Sequence, residues 1–87
     1  GDDRVALASG AADTLLGKNG NDSIYGGEGN DSLVGDAGDD FLVGGLDNDF
    51  LGGGIGADIM YGGLNNDTLA GHLGSDSLYG GSGADSL

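Results

Sequence analysis

Apolar residues recur along this chain with a spacing of nine. Leu15, Ile24, Leu33, Leu42, Leu51, Met60, Leu69, Leu78 and Leu87 sit inside short segments of mixed character, such as Ser23-Ile24-Tyr25 and Ser32-Leu33-Val34. A triplet with one inward-pointing side chain reads as a very short strand. Nowhere do apolar positions follow the i, i+3, i+4 spacing of an amphipathic helix, so no α-helix is expected. The six residues between triplets are rich in Gly, Asn and Asp, which tolerate positive φ and favour tight turns. A turn and a strand reverse the chain once, so two units complete one coil. Successive coils then stack about 4.8 Å apart as parallel strands, odd units over odd and even over even. The predicted fold is all-β, a parallel β-roll (a solenoid) of two small sheets with the recurring apolar residues between them. The general crossover rule makes the coil right-handed.

The same period governs a carboxylate. Asp13, Asp22, Asp31, Asp40, Asp49, Asp58, Asp67, Asp76 and Asp85 each stand two residues before the apolar position, and from Asp22 onward a glycine stands five residues ahead of each. The consensus is G-G-x-G-x-D-x-U-x, with U apolar; GGEGNDSLV (26–34) and GGIGADIMY (53–61) match every fixed position. Lys18, Asp36, Asp47, Asn65 and His72 occupy positions where the consensus has glycine. The register breaks only at the start, where Asp3 lies ten residues before Asp13. Residues 1–7 therefore read as a degenerate lead-in and 8–87 as a roll of nine units, the first weakened in glycine.

Composition then raises a problem that the repeat has to solve. Fifteen acidic residues against two basic ones give a net charge of −13, which repels nucleic acid and anionic lipid. With 22 glycines in 87 residues and no proline, such a chain on composition alone points to disorder. Cysteine is absent, which excludes disulfides and thiolate metal sites. No apolar run reaches membrane-spanning length and no signal peptide is visible at Gly1. The ending at Leu87, on an apolar strand residue, reads as that of a fragment of a larger parent.

Stacking would place Asp13, Asp31, Asp49, Asp67 and Asp85 along one edge of the roll and Asp22, Asp40, Asp58 and Asp76 along the other. Carboxylates so close repel by about 1 kcal/mol at the dielectric of water and by several at a partly buried site. A cation between them removes the conflict. Hard carboxylate and carbonyl oxygens select Ca2+ over transition metals, and a flexible glycine turn suits its 6–8 ligands better than octahedral Mg2+. Stacked pairs allow up to about seven ions, and seven Ca2+ would nearly balance the charge of −13.

This nonapeptide resembles the repeat of the RTX (repeats-in-toxin) family of secreted bacterial proteins, over about residues 8–87. The resemblance implies that each ion lies between a turn and the turn one coil later. Both Asp carboxylates would bind it, together with main-chain carbonyls from the glycine-rich positions. For one middle site this means Asp31 and Asp49, with carbonyls of Gly27, Gly29, Gly44 and Leu46. Over the roll, the expected metal residues are the nine aspartates with Gly26, Gly27, Gly29, Gly44, Gly45, Gly53, Gly54, Gly56, Gly62 and Gly63. Units that have lost a glycine are expected to bind more weakly. The resemblance further implies a module that stays unfolded at low calcium, leaves through a type I secretion channel and folds outside the cell. Its parent would be a protease, lipase, toxin, adhesin or polysaccharide-modifying enzyme.

No catalytic centre is expected in the chain itself. Gly52-Gly53-Gly54-Ile55-Gly56-Ala57 fits a loose dinucleotide fingerprint, but any glycine-rich repeat produces such matches and no strand–helix context follows. The sequons at Asn21, Asn30 and Asn66 are likewise by-products of the repeat. Glu28 is the one glutamate, so an EF-hand fails. His72 has no second histidine or cysteine with which to form a zinc site or triad. Equivalent carboxylates make a ladder, whereas acid–base catalysis needs two in different environments. Ice binding would want an outward Thr/Asn array, and the third turn position instead holds Asn19, Glu28, Ala37, Leu46, Ile55, Leu64, Leu73 and Ser82. The second reading is a calcium-dependent binding module. Repeat parity puts Tyr25, Tyr61 and Tyr79 in one column on one sheet, with Phe41 and Ile59 beside them. Such a face suits a neighbouring domain, another copy or a polysaccharide.

Overall fold

The computed structural model describes residues 4–5, 14–83 and 85. Among these residues nine strands follow one another: β1 (Arg4–Val5), β2 (Thr14–Leu16), β3 (Ser23–Tyr25), β4 (Ser32–Val34), β5 (Phe41–Gly45), β6 (Phe50–Gly52), β7 (Ile59–Gly63), β8 (Thr68–Ala70) and β9 (Ser77–Tyr79). They sort by parity into a five-stranded sheet, β1-β3-β5-β7-β9, and a four-stranded sheet, β2-β4-β6-β8. Every pairing is parallel, and Thr14 lies opposite Ser32, Ser23 opposite Phe41 and Phe50 opposite Thr68. Each coil is therefore 18 residues, two units of the repeat. β1 differs: Val5 pairs with Ile24, one residue out of step, which accommodates the ten-residue interval between Asp3 and Asp13. The described residues form a parallel β-roll and contain no helix.

The core is a single file. Ile24, Leu33, Leu42, Leu51 and Met60 are fully buried, Leu69 nearly so, and Leu15 and Leu78 pack partly buried against the file. Successive members come from opposite sheets, so each apolar side chain meets neighbours on its own sheet and across the gap. Full burial of one such side chain stabilises by about 1.5–3 kcal/mol. Among the described residues these eight side chains make up the whole core cluster.

Two strands are longer than the triplet predicts. β5 and β7 each run on through a glycine pair, with Gly45 opposite Gly63. The reason is that the turns stack as regularly as the strands. Leu46 N–H donates to Gly27 O at 3.0 Å and Leu64 N–H to Gly45 O at 3.1 Å, so the ladder continues into the turn. On the opposite edge Ala37, Ile55 and Leu73 are bridged in the same parallel sense. Turn N–H groups that would otherwise need water are satisfied by carbonyls of a neighbouring coil.

The aromatic column also differs from expectation. Tyr25, Tyr61 and Tyr79 do share one sheet and one row, but register places Val43 between Tyr25 and Tyr61. Phe41, from the neighbouring row, fills the break: its ring centroid lies 6.0 Å from Tyr25 and 5.5 Å from Tyr61. Tyr61 and Tyr79 stack directly, 4.8 Å apart with planes 11° from parallel.

Candidate metal centre

The second and fourth positions of every described unit have positive φ, which is the conformation that turns the chain after each strand. Glycine enters it freely, yet Lys18, Asp36, Asp47, Asn65 and His72 adopt it too, at φ 67–74°. The units without the consensus glycine thus keep the same turn.

Within that turn the first glycine and the aspartate face each other. A β-carbon built on Gly26 would stand 2.9 Å from Asp31 Oδ2 and 2.8 Å from the carbonyl oxygen of Gly44, one coil later. At Gly44 the same two partners are Asp49 Oδ2 at 2.7 Å and Gly62 O at 2.8 Å. On the other edge Gly17 repeats the arrangement with Asp22 Oδ2 at 2.8 Å and Gly35 O at 3.0 Å. Glycine is required here for space: a side chain would occupy the place where a carboxylate oxygen and a carbonyl oxygen converge.

The other carboxylate oxygen is spoken for. Asp40 Oδ1 accepts the N–H of Asp22 at 2.8 Å, Asp49 Oδ1 that of Asp31 at 2.7 Å, Asp58 Oδ1 that of Asp40 at 2.8 Å and Asp67 Oδ1 that of Asp49 at 2.8 Å. Asp76 and Asp85 continue the two ladders by accepting from Asp58 and Asp67. Each carboxylate is thereby fixed in direction, with Oδ2 turned toward the glycine. In Asp40, Asp49, Asp58 and Asp67 that Oδ2 is buried and accepts no hydrogen bond.

Electrostatics express the cost. Six aspartates, Asp22 to Asp67 in the repeat, are 0–4 % exposed. Burial pushes the carboxyls of Asp49 and Asp58 up to about 7 and that of Asp40 up to about 6. The donated N–H opposes the rise in each, and neighbouring carboxylates add to it. Asp67 is raised for the same leading reason. Buried acceptors without donors, and carboxylates crowded by carboxylates, are what a hard cation relieves. Among the described residues no three His, Cys, Asp or Glu side chains gather in one cluster. An ion on either edge would therefore complete its shell from main-chain carbonyls, as Ca2+ readily does. The donor set fits calcium.

Of the residues predicted from sequence, Asp22 through Asp67 are buried in the two ladders, while Asp76 and Asp85 are half-buried. Gly26, Gly44, Gly53 and Gly62 stand against Asp31, Asp49, Asp58 and Asp67 respectively. The carbonyls of Gly27, Gly45 and Gly63 accept turn N–H groups from Leu46, Leu64 and Ser82. Gly29 donates its N–H to Asp47 Oδ2 at 2.8 Å. Gly54 and Gly56 have positive φ and lie close against Asp36 O and Gly38 O. Asp13 lies outside the described residues.

A second ladder escaped the sequence reading. Asn48 N–H donates to Asn30 Oδ1 at 2.9 Å and Asn66 N–H to Asn48 Oδ1 at 2.8 Å, with Asn21 and Asp39 acting likewise on the other edge. Its signal was the recurrence of Asn at 30, 48 and 66, one coil apart.

A profile of the RTX calcium-binding nonapeptide repeat matches the chain four times, at residues 7–42, 16–51, 34–69 and 52–87. No curated protein and no solved structure shows significant similarity to it. The repeat is a structural, calcium-binding element, and no helix among the described residues is long and apolar enough to cross a membrane. Because the matched segments together run from residue 7 to residue 87, the chain belongs to the RTX calcium-binding nonapeptide repeat family.

Proposed function

We propose that this chain is a calcium-folded structural module of a larger secreted bacterial protein, without catalytic activity of its own. The observation that carries the reading is the buried Oδ2 of Asp40, Asp49, Asp58 and Asp67, held toward a glycine and accepting no hydrogen bond. On each edge the ions would be held by the stacked aspartates and by turn carbonyls such as that of Gly44. Up to about seven would bind. When bound, Ca2+ supplies charge neutralisation and cross-links between coils. Ligands that bind the native state alone stabilise it in proportion to the logarithm of their concentration, so folding follows calcium. Low calcium inside the cell would then keep the chain extended for export, and higher calcium outside would fold it. The test is far-UV circular dichroism in chelator and then in millimolar Ca2+. At pH 8 without stabilising cosolvent, strong β signal appears only with calcium if the reading is right; a roll already formed in chelator under those conditions overturns it.

A second reading concerns the five-stranded sheet. Its outward residues from β3 to β9 are Ser23, Tyr25, Phe41, Val43, Ile59, Tyr61, Ser77 and Tyr79, none of them charged. The acidic residues of the described turns all lie off this face. Tyr61 and Tyr79 each give one ring face to the other, so the column offers mainly ring edges and hydroxyls rather than a flat platform for a sugar. That favours packing against a neighbouring domain of the parent protein over binding a polysaccharide.

A further inference from the structure

We propose that the edge of the roll carrying Asn30, Asn48 and Asn66 holds, beside that edge's calcium ladder and away from the tyrosine face, a binding site for neutral, hydroxyl-rich saccharides. A depression of about 420 Å3 on this edge is lined by Asn30, Asp47, Asn48, Asn65 and Asn66. Each lining side chain is polar, and the geometry sets what two of them can offer. Asn30 and Asn48 spend Oδ1 on a main-chain N–H of the next coil, at 2.9 and 2.8 Å. Only the carbonyl oxygen can accept from N–H, so the amide orientation is settled and its NH2 group points away from that bond. Coil stacking repeats these donors about 4.8 Å apart. Asp47 is pinned in the same manner: Oδ2 accepts Gly29 N–H at 2.8 Å, which leaves Oδ1 as an acceptor beside the amide donors. Donors and acceptor are thus held before any ligand arrives, as recognition of a neutral polyol requires.

The backbone supplies a second reason. Asp47 and Asn65 stand at the fourth position of their units with φ of 70° and 74°, where Gly29 and Gly83 stand on the same edge. A left-handed conformation is unfavourable for a non-glycine residue, though less so for Asn and Asp. The calcium turn does not need these side chains, and both line this depression. The opposite edge carries Asn21, Asp39, Ala57 and Ser75 at the corresponding positions, so its amide row does not continue. The Asp47 carboxylate disfavours uronate or phosphate groups. Asp47 is the one carboxylate of this lining, where Ca2+ or Mg2+ calls for six or more oxygen ligands.

The experiment is NMR of the calcium-saturated full chain, following the side-chain amides of Asn30 and Asn48. The probes are hexasaccharides of β-1,4-glucose, α-1,4-glucose and β-1,4-mannose at millimolar concentration, with oligogalacturonate and Mg2+ as charged comparisons. At least one neutral sugar shifts both amides saturably. The double substitution Asp47→Gly with Asn65→Gly restores the repeat consensus, so calcium-dependent circular dichroism is retained while sugar affinity falls at least tenfold. The proposal is overturned if no neutral hexasaccharide gives a saturable shift, if only oligogalacturonate or Mg2+ does, or if the folded double variant binds as tightly as the parent.

Discussion

Asp49→Asn separates the two roles of the ladder, because it should change stability with opposite sign in the absence and presence of calcium. Asparagine keeps an oxygen for the N–H of Asp31 and replaces Oδ2 by an NH2 group on the side where Gly62 O lies. Without calcium the substitution removes a buried charge. The Asp49 carboxyl rises from 3.8 to about 7, roughly three units at about 1.4 kcal/mol each, which sets a ceiling of about 4 kcal/mol at pH 8. Water and counter-ions at the turn edge screen part of this, so a gain of about 2 kcal/mol is expected. With calcium the same change withdraws one negative ligand from the sites shared with Asp31 and Asp67. Apparent affinity there should fall at least about tenfold, or about 1.4 kcal/mol. The first effect is read from urea unfolding in chelator at pH 8, with sucrose added to populate the fold. The second is read by calorimetric calcium titration. A variant less stable than the parent in chelator, or one with unchanged calcium affinity, refutes the ladder as described.

Three further outcomes follow from the same structure. Carboxyls raised to about 6–7 in the roll and ordinary when unfolded mean that the native state binds more protons between about pH 4 and 7. In chelator, stability is therefore lowest above pH 7 and grows as pH falls, so circular dichroism at pH 5.5 should show more β structure than at pH 8. Leu42→Ala empties a fully buried place in a single-file core and should cost about 2–5 kcal/mol in calcium-saturated urea unfolding; a change below about 1 kcal/mol would mean the file is not the core. Replacing Tyr25, Tyr61 and Tyr79 together by Ser should leave calcium binding nearly intact, read by calorimetry, and weaken self-association or association with a neighbouring domain, read by analytical sedimentation; equal association would reduce the face to an ordinary strand surface.

Much of this architecture was legible because one period runs through three chemistries at once. Leu42, Asp40 and Gly35 each repeat at nine, and strand, carboxylate and space for the carboxylate are separately readable from them. Parity then delivers both sheets. What resisted reading was the use of particular atoms. An aspartate at a turn announces a charge, but not that its Oδ1 accepts the N–H of the aspartate one coil earlier, because that donor lies 18 residues away and carries no side-chain signature. Val43 among the tyrosines was visible as a letter, while the way Phe41 leans across to bridge Tyr25 and Tyr61 depends on rotamers. Lys18 and His72 looked like damaged turns, yet tertiary stacking holds them at positive φ with their glycine neighbours.

The aspartate ladder has a direction. The donor always belongs to the earlier coil and the acceptor to the later one, from Asp22 to Asp40 and onward to Asp58. A stack of such coils is consequently polar, each rung turning an N–H toward the coil after it and a carboxylate oxygen toward the coil before it. Two rolls meeting end to end can satisfy both only head to tail. That geometry does not close on itself, and repetition of it yields an open filament rather than a dimer. A cap for the leading end would have to be a donor, and a cap for the trailing end an anion.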